Sequence, residues 1–202
     1  MNKISYKNLT SFVNQVLERV GLDRFSNESV CAGLCETSLR GVDSHGVRLL
    51  PHYVNSAIAG RKNPKPNMKY HTAYPAAGML HADDAFGHAA GFKAIDIGMD
   101  LADQFGVSAI SVSHSSHPGA MASFVLRAAR KGYVAFAFTH ADALILSHGG
   151  KRPYFGTNPM AMAAPRKDME PYCLDMAPSF FSWNKVKSYK EQGLDLPTGI
   201  AV

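Results

Sequence analysis

The chain has 202 residues, enough to bury a real core as one large domain or two small ones. Hydrophobic residues make up 46% and charged residues 18%, which excludes a disordered chain, and no apolar stretch approaches the length of a membrane span. The formal charge of +5 comes without a Lys/Arg run or a basic stripe interleaved with aromatics. This argues against nucleic acid and leaves two readings, a small anionic ligand or a scattered basic surface.

In chain order, Leu9, Phe12, Val13, Val16, Leu17 and Val20 repeat at helical spacing, predicting a helix from about Ser5 to Val20 that Gly21 ends. Ser26 is the expected cap of a second helix running to about Arg40, with Gly41 as its stop and Cys31 and Cys35 as small buried thiols one turn apart. Three cysteines make no disulfide framework, and a reducing cytoplasm is the simplest location. A short third helix follows Gly46 and ends near Gly60. The polar, proline-broken run Arg61–Pro66 then marks the best internal boundary, dividing a helical region (1–65) from an α/β region (66–202). Strands are expected at about 68–73 and 78–82, then a helix from His88 to Phe105 closed by Gly106 and a buried strand at 107–113. A helix at about 120–131 stopped by Gly132 follows, with further strands at 133–139, 160–164 and 172–175. Trp183 is expected in the core. Alternating strands and helices imply an α/β class with a mixed sheet.

Neither G-x-G-x-x-G nor G-x-x-x-x-G-K-[ST] occurs, which argues against a Rossmann or P-loop site. Four segments could still carry chemistry. In Asp43-Ser44-His45-Gly46, between two helices, His45 could move a proton and Ser44 hold a substrate oxygen; alternatively, Asp43 or Ser44 caps a helix and His45 lies at the surface. The run His114-Ser115-Ser116-His117-Pro118-Gly119 ends a strand and precedes a helix, where α/β sites commonly lie. There a helix N-terminus would keep His117 neutral and able to take a proton from an alcohol. A plain loop and a His-x-x-His metal pair are the competing readings. The turn from Ser147 to Arg152 could hold an anion or simply be solvated. Leu174-Asp175-Met176-Ala177 alone reads as a strand end.

Taken in order, DSHG (43–46), SSHPGA (115–120), FGTNPMAMAAP (155–165) and LDMA (174–177) resemble the malate/L-lactate dehydrogenase family, from about Tyr6 to the last residue. The resemblance implies a sulfolactate dehydrogenase-like, non-Rossmann fold: a helical N-terminal region plus a mixed, largely antiparallel sheet with flanking helices. It implies a homodimer using NAD or NADP on a small 2-hydroxy or 2-oxo carboxylate, with no metal. By position, it makes His117 the catalytic acid/base, with His45 and Ser44 as its catalytic companions, and Arg48 and Tyr53 substrate-binding. Cofactor contacts fall to Ala141, to Gly156, Thr157, Asn158 and Pro159, and to Asp175, Met176 and Ala177.

The sequence departs from the family pattern in places. Leu49 stands where relatives often carry a carboxylate-binding arginine, with Arg48 one place earlier. Pro118 replaces a common aromatic, and Pro178 a small polar residue. The family continues well beyond Val202, so a C-terminally truncated chain is expected. The alternatives to an oxidoreductase are a remnant that binds ligand or dimerises without turnover, and a metal-dependent hydrolase built on His114 and His117.

Overall fold

A computed structural model describes residues 3–199; residues 200–202, where the chain was expected to break off mid-element, lie outside the described residues. Ser5 caps the first helix, α1 (Tyr6–Arg19), by accepting the Asn8 amide. The second, α2 (Arg24–Leu39), begins earlier than expected. Its cap is Asp23, which accepts the Ser26 amide at 2.7 Å, while Ser26 itself is buried one turn inside the helix. A carboxylate at the positive end of the helix outcompetes a hydroxyl for that place. Cys31 and Cys35 are both buried, their sulfurs 3.9 Å apart. Two 3-10 turns (Asp43–His45 and Val47–Leu49) lead into α3 (Leu50–Ile58). These helices share a core of Val13, Leu17, Val30, Leu34 and Tyr53, closed below by Phe86. Each such side chain contributes roughly 1.5–3 kcal/mol of burial.

The run 61–66 is tied down on both sides. Asp23 donates its amide to the Pro64 carbonyl at 2.8 Å, and the Asn63 amide reaches the Asp84 carbonyl at 3.0 Å. The Asn63 side chain also donates to Asp83 at 2.9 Å.

Beyond this run, β1 (Lys69–Tyr74) pairs antiparallel with β2 (Ala77–His81), and β2 pairs parallel with β3 (Ala109–Ser113). The long helix α4 (Gly87–Phe105), ended by Gly106 at φ +80°, makes the crossover that a parallel pair requires. α5 (Ala122–Ala129) returns to β4 (Ala135–Phe138), which pairs with β7 (Met160–Arg166), and β7 with β8 (Met169–Met176), all antiparallel. A small hairpin, β5 (Ile145–Leu146) with β6 (Pro153–Phe155), and a capped helix, α6 (Trp183–Glu191), complete the described chain. The second core lies between α4, α5 and the β4-β7-β8 sheet, around Phe92, Phe124, Val125, Leu126, Ala161 and Ala163. The strands are mixed in direction and mostly antiparallel, as expected, and are parted among three sheets.

Two further expectations fail. β3 is not a buried strand: Val112 is 40% exposed, because β3 is the edge of its sheet and opens onto a groove of about 540 Å³ shared with Phe136 and Phe138 of β4. Trp183 is not in the core but 52% exposed at the start of α6, with the Lys187 ammonium 5.6 Å from its ring centre. No helix among the described residues is long and apolar enough to cross a membrane.

His88, in the first turn of α4, is fully buried and occupies space that two glycines leave open. A Cβ on Gly33 of α2 would lie 2.1 Å from the His88 ring, and one on Gly119 would lie 2.3 Å from its Nε2. Gly33→Ala should therefore destabilise the chain by roughly 1–3 kcal/mol through overpacking, although alanine is the better helix former. Gly98→Ala in α4, whose added Cβ would lie 3.2 Å from the Ser108 hydroxyl rather than 2.1 Å from a buried ring, serves as the comparison and should cost clearly less. Urea titration of the two variants measures both; equal midpoints would refute the steric account.

Candidate active site

The loop from β3 to α5 is seated on the start of α4. Ser116 Oγ accepts the Gly87 amide at 3.0 Å and donates to the Ala85 carbonyl at 3.2 Å. Gly87 permits this approach, since a Cβ there would lie 2.3 Å from the Ser116 carbonyl oxygen and 2.4 Å from that of His117. The next side chain, His117, meets α3: its Nδ1 is 2.9 Å from the Tyr53 hydroxyl. Tyr53 is only 2% exposed, and its ring stands edge-on to the rings of Phe86 and His88 at 6.1 and 5.1 Å. The tyrosine is thus fixed by packing and fixes the imidazole in turn, leaving Nε2 as the ring nitrogen it does not engage.

The DSHG turn approaches His117 from the other side. The Val47 amide donates to Ser38 Oγ of α2 at 3.0 Å, and a Cβ on Gly46 would lie 2.1 Å from that same oxygen. Glycine at this point lets the turn close onto α2. The His45 ring then lies nearly parallel to that of His117, centroids 5.7 Å apart, with Ser44 Oγ 2.9 Å from His45 Nδ1. His45 is half-buried against His117, so the surface-histidine reading of this segment falls.

Desolvation sets the charge state of this cluster. Although part of His117 is exposed, the protein packed around its ring pushes its pKa down to about 4, helped by the nearby His45 and His52 imidazoles. Burial pushes His88 down to about 3, with His117 and His45 adding to the effect. His45 is lowered by burial and partly restored by Asp175. Burial also raises the Tyr53 hydroxyl well above the ordinary tyrosine value, so it remains a neutral hydrogen-bonding group. His117 is neutral at ordinary pH, as expected, but crowding and neighbouring imidazoles rather than a helix terminus make it so.

Asp175, near the end of β8, is exposed as a residue, but its carboxylate turns to the start of α5 and accepts the Ala122 amide at 2.7 Å. Desolvation raises its pKa, while the Ala122 amide and the charge of His45 lower it. Met176 beside it is 52% exposed. A second grouping forms around Asn158, at φ +37°, whose side-chain oxygen accepts the Ala141 amide at 3.1 Å. A Cβ on Gly156 would lie 2.1 Å from the Ala141 carbonyl, so these two segments pack backbone to backbone. Thr157 and Pro159 flank Asn158, and Ala177 follows Met176 at the end of β8.

The structure therefore gathers His117, His45, Ser44 and Tyr53 into one cluster, with Asp175 coupled to it through His45, and Ala141, Gly156 and Asn158 into another. Arg48 is placed elsewhere, its exposed guanidinium paired with Glu191 of α6. The two histidines of the possible metal pair also part. His114, at φ +50°, stacks on His81 at 4.1 Å while His117 bonds Tyr53, and no group of three or more His, Cys, Asp or Glu converges among the described residues. Sequence reasoning missed Ser38, His88 and Ser116. Their roles depend on contacts with residues distant in the chain; only the adjacency of Ser116 to His117 gave any signal. Beside His117 opens a cleft of about 280 Å³ whose lining includes Tyr53, Ser56, Ser116, Arg61 and Lys62. The larger groove between β3 and β4 includes neither His117 nor Tyr53 in its lining.

A family model described as malate/L-lactate dehydrogenase matches residues 4–202. The chain is 34% identical over 200 residues to malate dehydrogenase of Pyrococcus abyssi, covering 99% of this chain and 55% of that protein. It is 32% identical over 200 residues to ureidoglycolate dehydrogenase (NAD(+)) of Escherichia coli K12, covering 99% and 57%. Among solved structures, malate dehydrogenase of Pyrococcus horikoshii OT3 superposes with a TM-score of 0.88 at 31% identity, covering 92% of this chain and 53% of that one. The chain thus spans about half the length of the curated relatives it matches.

The depressed imidazoles predict acid sensitivity. His117 and His88 have folded pKa values of about 4 and about 3, below the ordinary value of 6.5, so the unfolded chain binds more protons between those limits. Stability is then full above about pH 6.5 and is lost as pH falls towards 4; the raised Asp175 carboxyl acts in the opposite sense, as one group against several imidazoles. Melting temperature followed from neutral to acid pH should fall through this window, and His88→Leu should flatten the slope. A slope unchanged in that variant would remove His88 from the account.

Proposed function

The chain belongs to the malate/L-lactate dehydrogenase family, and we propose that its His117–Tyr53–His45 cluster performs the proton transfer that accompanies nicotinamide-dependent interconversion of small 2-hydroxy and 2-oxo carboxylates. The observation that carries this reading is the Tyr53–His117 hydrogen bond, which fixes a neutral imidazole at the mouth of a cleft.

In the oxidative direction the His117 ring donates Nδ1–H to the Tyr53 oxygen, and the lone pair on Nε2 takes the substrate hydroxyl proton as the 2-hydroxy acid becomes a 2-oxo acid. In the reductive direction the same nitrogen returns a proton to the forming alkoxide. When bound, NAD or NADP supplies the acceptor or donor of the hydride. A pKa near 4 keeps His117 ready as a base at neutral pH, and an anionic substrate beside it favours the imidazolium once formed. His45 stacks behind His117 and, with Ser44 on its Nδ1, positions a substrate oxygen; Tyr53 bounds the same cleft. Arg48 serves as a carboxylate partner by exchanging Glu191 for the substrate.

The residues proposed to hold the dinucleotide suit such a group. Ala141 and Gly156 meet backbone to backbone, Thr157 and Asn158 add hydrogen-bonding side chains beside Pro159, and Met176 with Ala177 offers an apolar face. Asp175, which would otherwise repel phosphates, has its carboxylate engaged by the Ala122 amide. In this reading residues 1–65 form the substrate-facing helical layer and residues 66–202 the nicotinamide-binding unit. The same reading makes the chain a cytoplasmic homodimer, which the three free cysteines and the exposed Phe136 and Phe138 support.

Following reduced-nicotinamide absorbance with malate, lactate and their 2-oxo acids tests the proposal. His117→Ala should lower kcat by about 10²–10⁴-fold, and Tyr53→Phe by about tenfold, the worth of one net hydrogen bond. Nicotinamide binding without turnover would instead favour a ligand-binding remnant, and unchanged kcat in His117→Ala would reject the proton-transfer role.

A further inference from the structure

The metal reading of His114 fails with His117 as its partner, but β3 delivers His114 to a different imidazole. β2 and β3 run parallel with His81 opposite Ser113. The last residue of β2 and the residue after β3 therefore stand side by side at the carboxyl ends of both strands. That end of a parallel pair is where open α/β sheets commonly bind their ligands. The two rings stack with centres 4.1 Å apart and planes 25° from parallel, so they are nearer at one edge than at the other.

Among the described residues no hydrogen bond or ion pair reaches either imidazole, and His114 is exposed while His81 is half-buried. The other parallel pair, His45 with His117, is wider at 5.7 Å and has Nδ1 of each ring bonded, to Ser44 and to Tyr53. The backbone beneath His81 and His114 is held firmly. The Ala82 amide donates to the Ser113 carbonyl at 2.9 Å, and the Asp84 amide to the His114 carbonyl at 2.8 Å. The sheet thus sets the spacing of the two side chains.

We propose that His81 and His114 form a two-imidazole site for a divalent transition-metal ion, Cu²⁺ foremost. Each neutral ring gives one nitrogen lone pair at about 2.0–2.1 Å from the ion, which places two adjacent ligand nitrogens about 3 Å apart. Small rotations of the exposed His114 side chain reach that spacing from rings already in contact. No group of three or more His, Cys, Asp or Glu converges among the described residues, and the Asp83 carboxylate is taken by Asn63 and Asn67. Two imidazoles with water in the remaining positions suit Cu²⁺ and Ni²⁺, and the general order of divalent affinities puts Cu²⁺ first. The ion ties the end of β2 to the loop that carries His117 three residues later. It lies apart from the cleft there, whose lining includes neither His81 nor His114.

Calorimetric titration of the 202-residue chain with Cu²⁺, Ni²⁺ and Zn²⁺ salts in a weakly coordinating buffer tests the site without requiring turnover. One ion should bind per chain, Cu²⁺ most tightly. Losing a mere orienting neighbour of a ligand costs about 10–100-fold in metal affinity, so His81→Gln and His114→Asn should each weaken binding about tenfold or more. Asparagine is chosen because position 114 has left-handed backbone, φ +50°. His140→Gln, away from the pair, should bind as the unmodified chain does. In NMR spectra of the unmodified chain, a small fraction of an equivalent of Cu²⁺ should broaden the ring signals of His81 and His114 before those of the other histidines. Absence of binding, affinity unaltered in either paired variant, or broadening that begins at His45 and His117 overturns the site.

Discussion

The hydrogen bond between Tyr53 and His117 joins the two regions of the chain, and most other features near the site hold one of its ends. From the helical side, Tyr53 is immobilised by the packing of α3 on α1 and α2 and by the edges of Phe86 and His88. From the α/β side, His117 is carried by a loop whose neighbour Ser116 is bonded twice to the start of α4. His88 stands beneath both, in space made by glycines from α2 and from the loop itself. A hydroxyl that is buried and an imidazole that is partly exposed can meet at 2.9 Å reproducibly only if every one of these supports is rigid.

The electrostatics follow from the same packing. Burial lowers the imidazoles at 45, 88 and 117, and neighbouring imidazoles push those at 88 and 117 down further. Asp175 provides the counterweight, coupled to His45 and held by an α5 amide. Its strand thereby connects the imidazole cluster to the segment proposed to carry the dinucleotide. Neutral imidazoles backed by a single restrained carboxylate suit chemistry in which a proton arrives and departs without a lasting charge.

Much of this was legible in the sequence where local patterns govern. The helical periodicity of Leu9 to Val20, the Gly106 stop and the alternation of strands and helices gave the elements of the first two-thirds of the chain, and the ordered motifs led to His45, His117 and Asp175. What failed has physical reasons. Pro165 and Pro171 disguised the full lengths of β7 and β8: the first sits at a register shift and the second on an edge strand, where a missing amide is tolerated. The apolar run at 107–113 reads as interior, but whether a strand is covered depends on what packs on it rather than on its own residues. Arg61 and Lys62 looked like linker residues because composition does not reveal the bonds from Asn63 and Pro64 that hold them in place.

The single tryptophan of the chain lies at the start of the helix whose last residue, Glu191, grips Arg48. Its indole is half open to water and has an ammonium group over one face. Intrinsic fluorescence of this protein is therefore an optical gauge of where α6 rests and says little about either core. If Arg48 exchanges Glu191 for a carboxylate as proposed, a spectral change on adding one would register that release, away from the imidazole cluster.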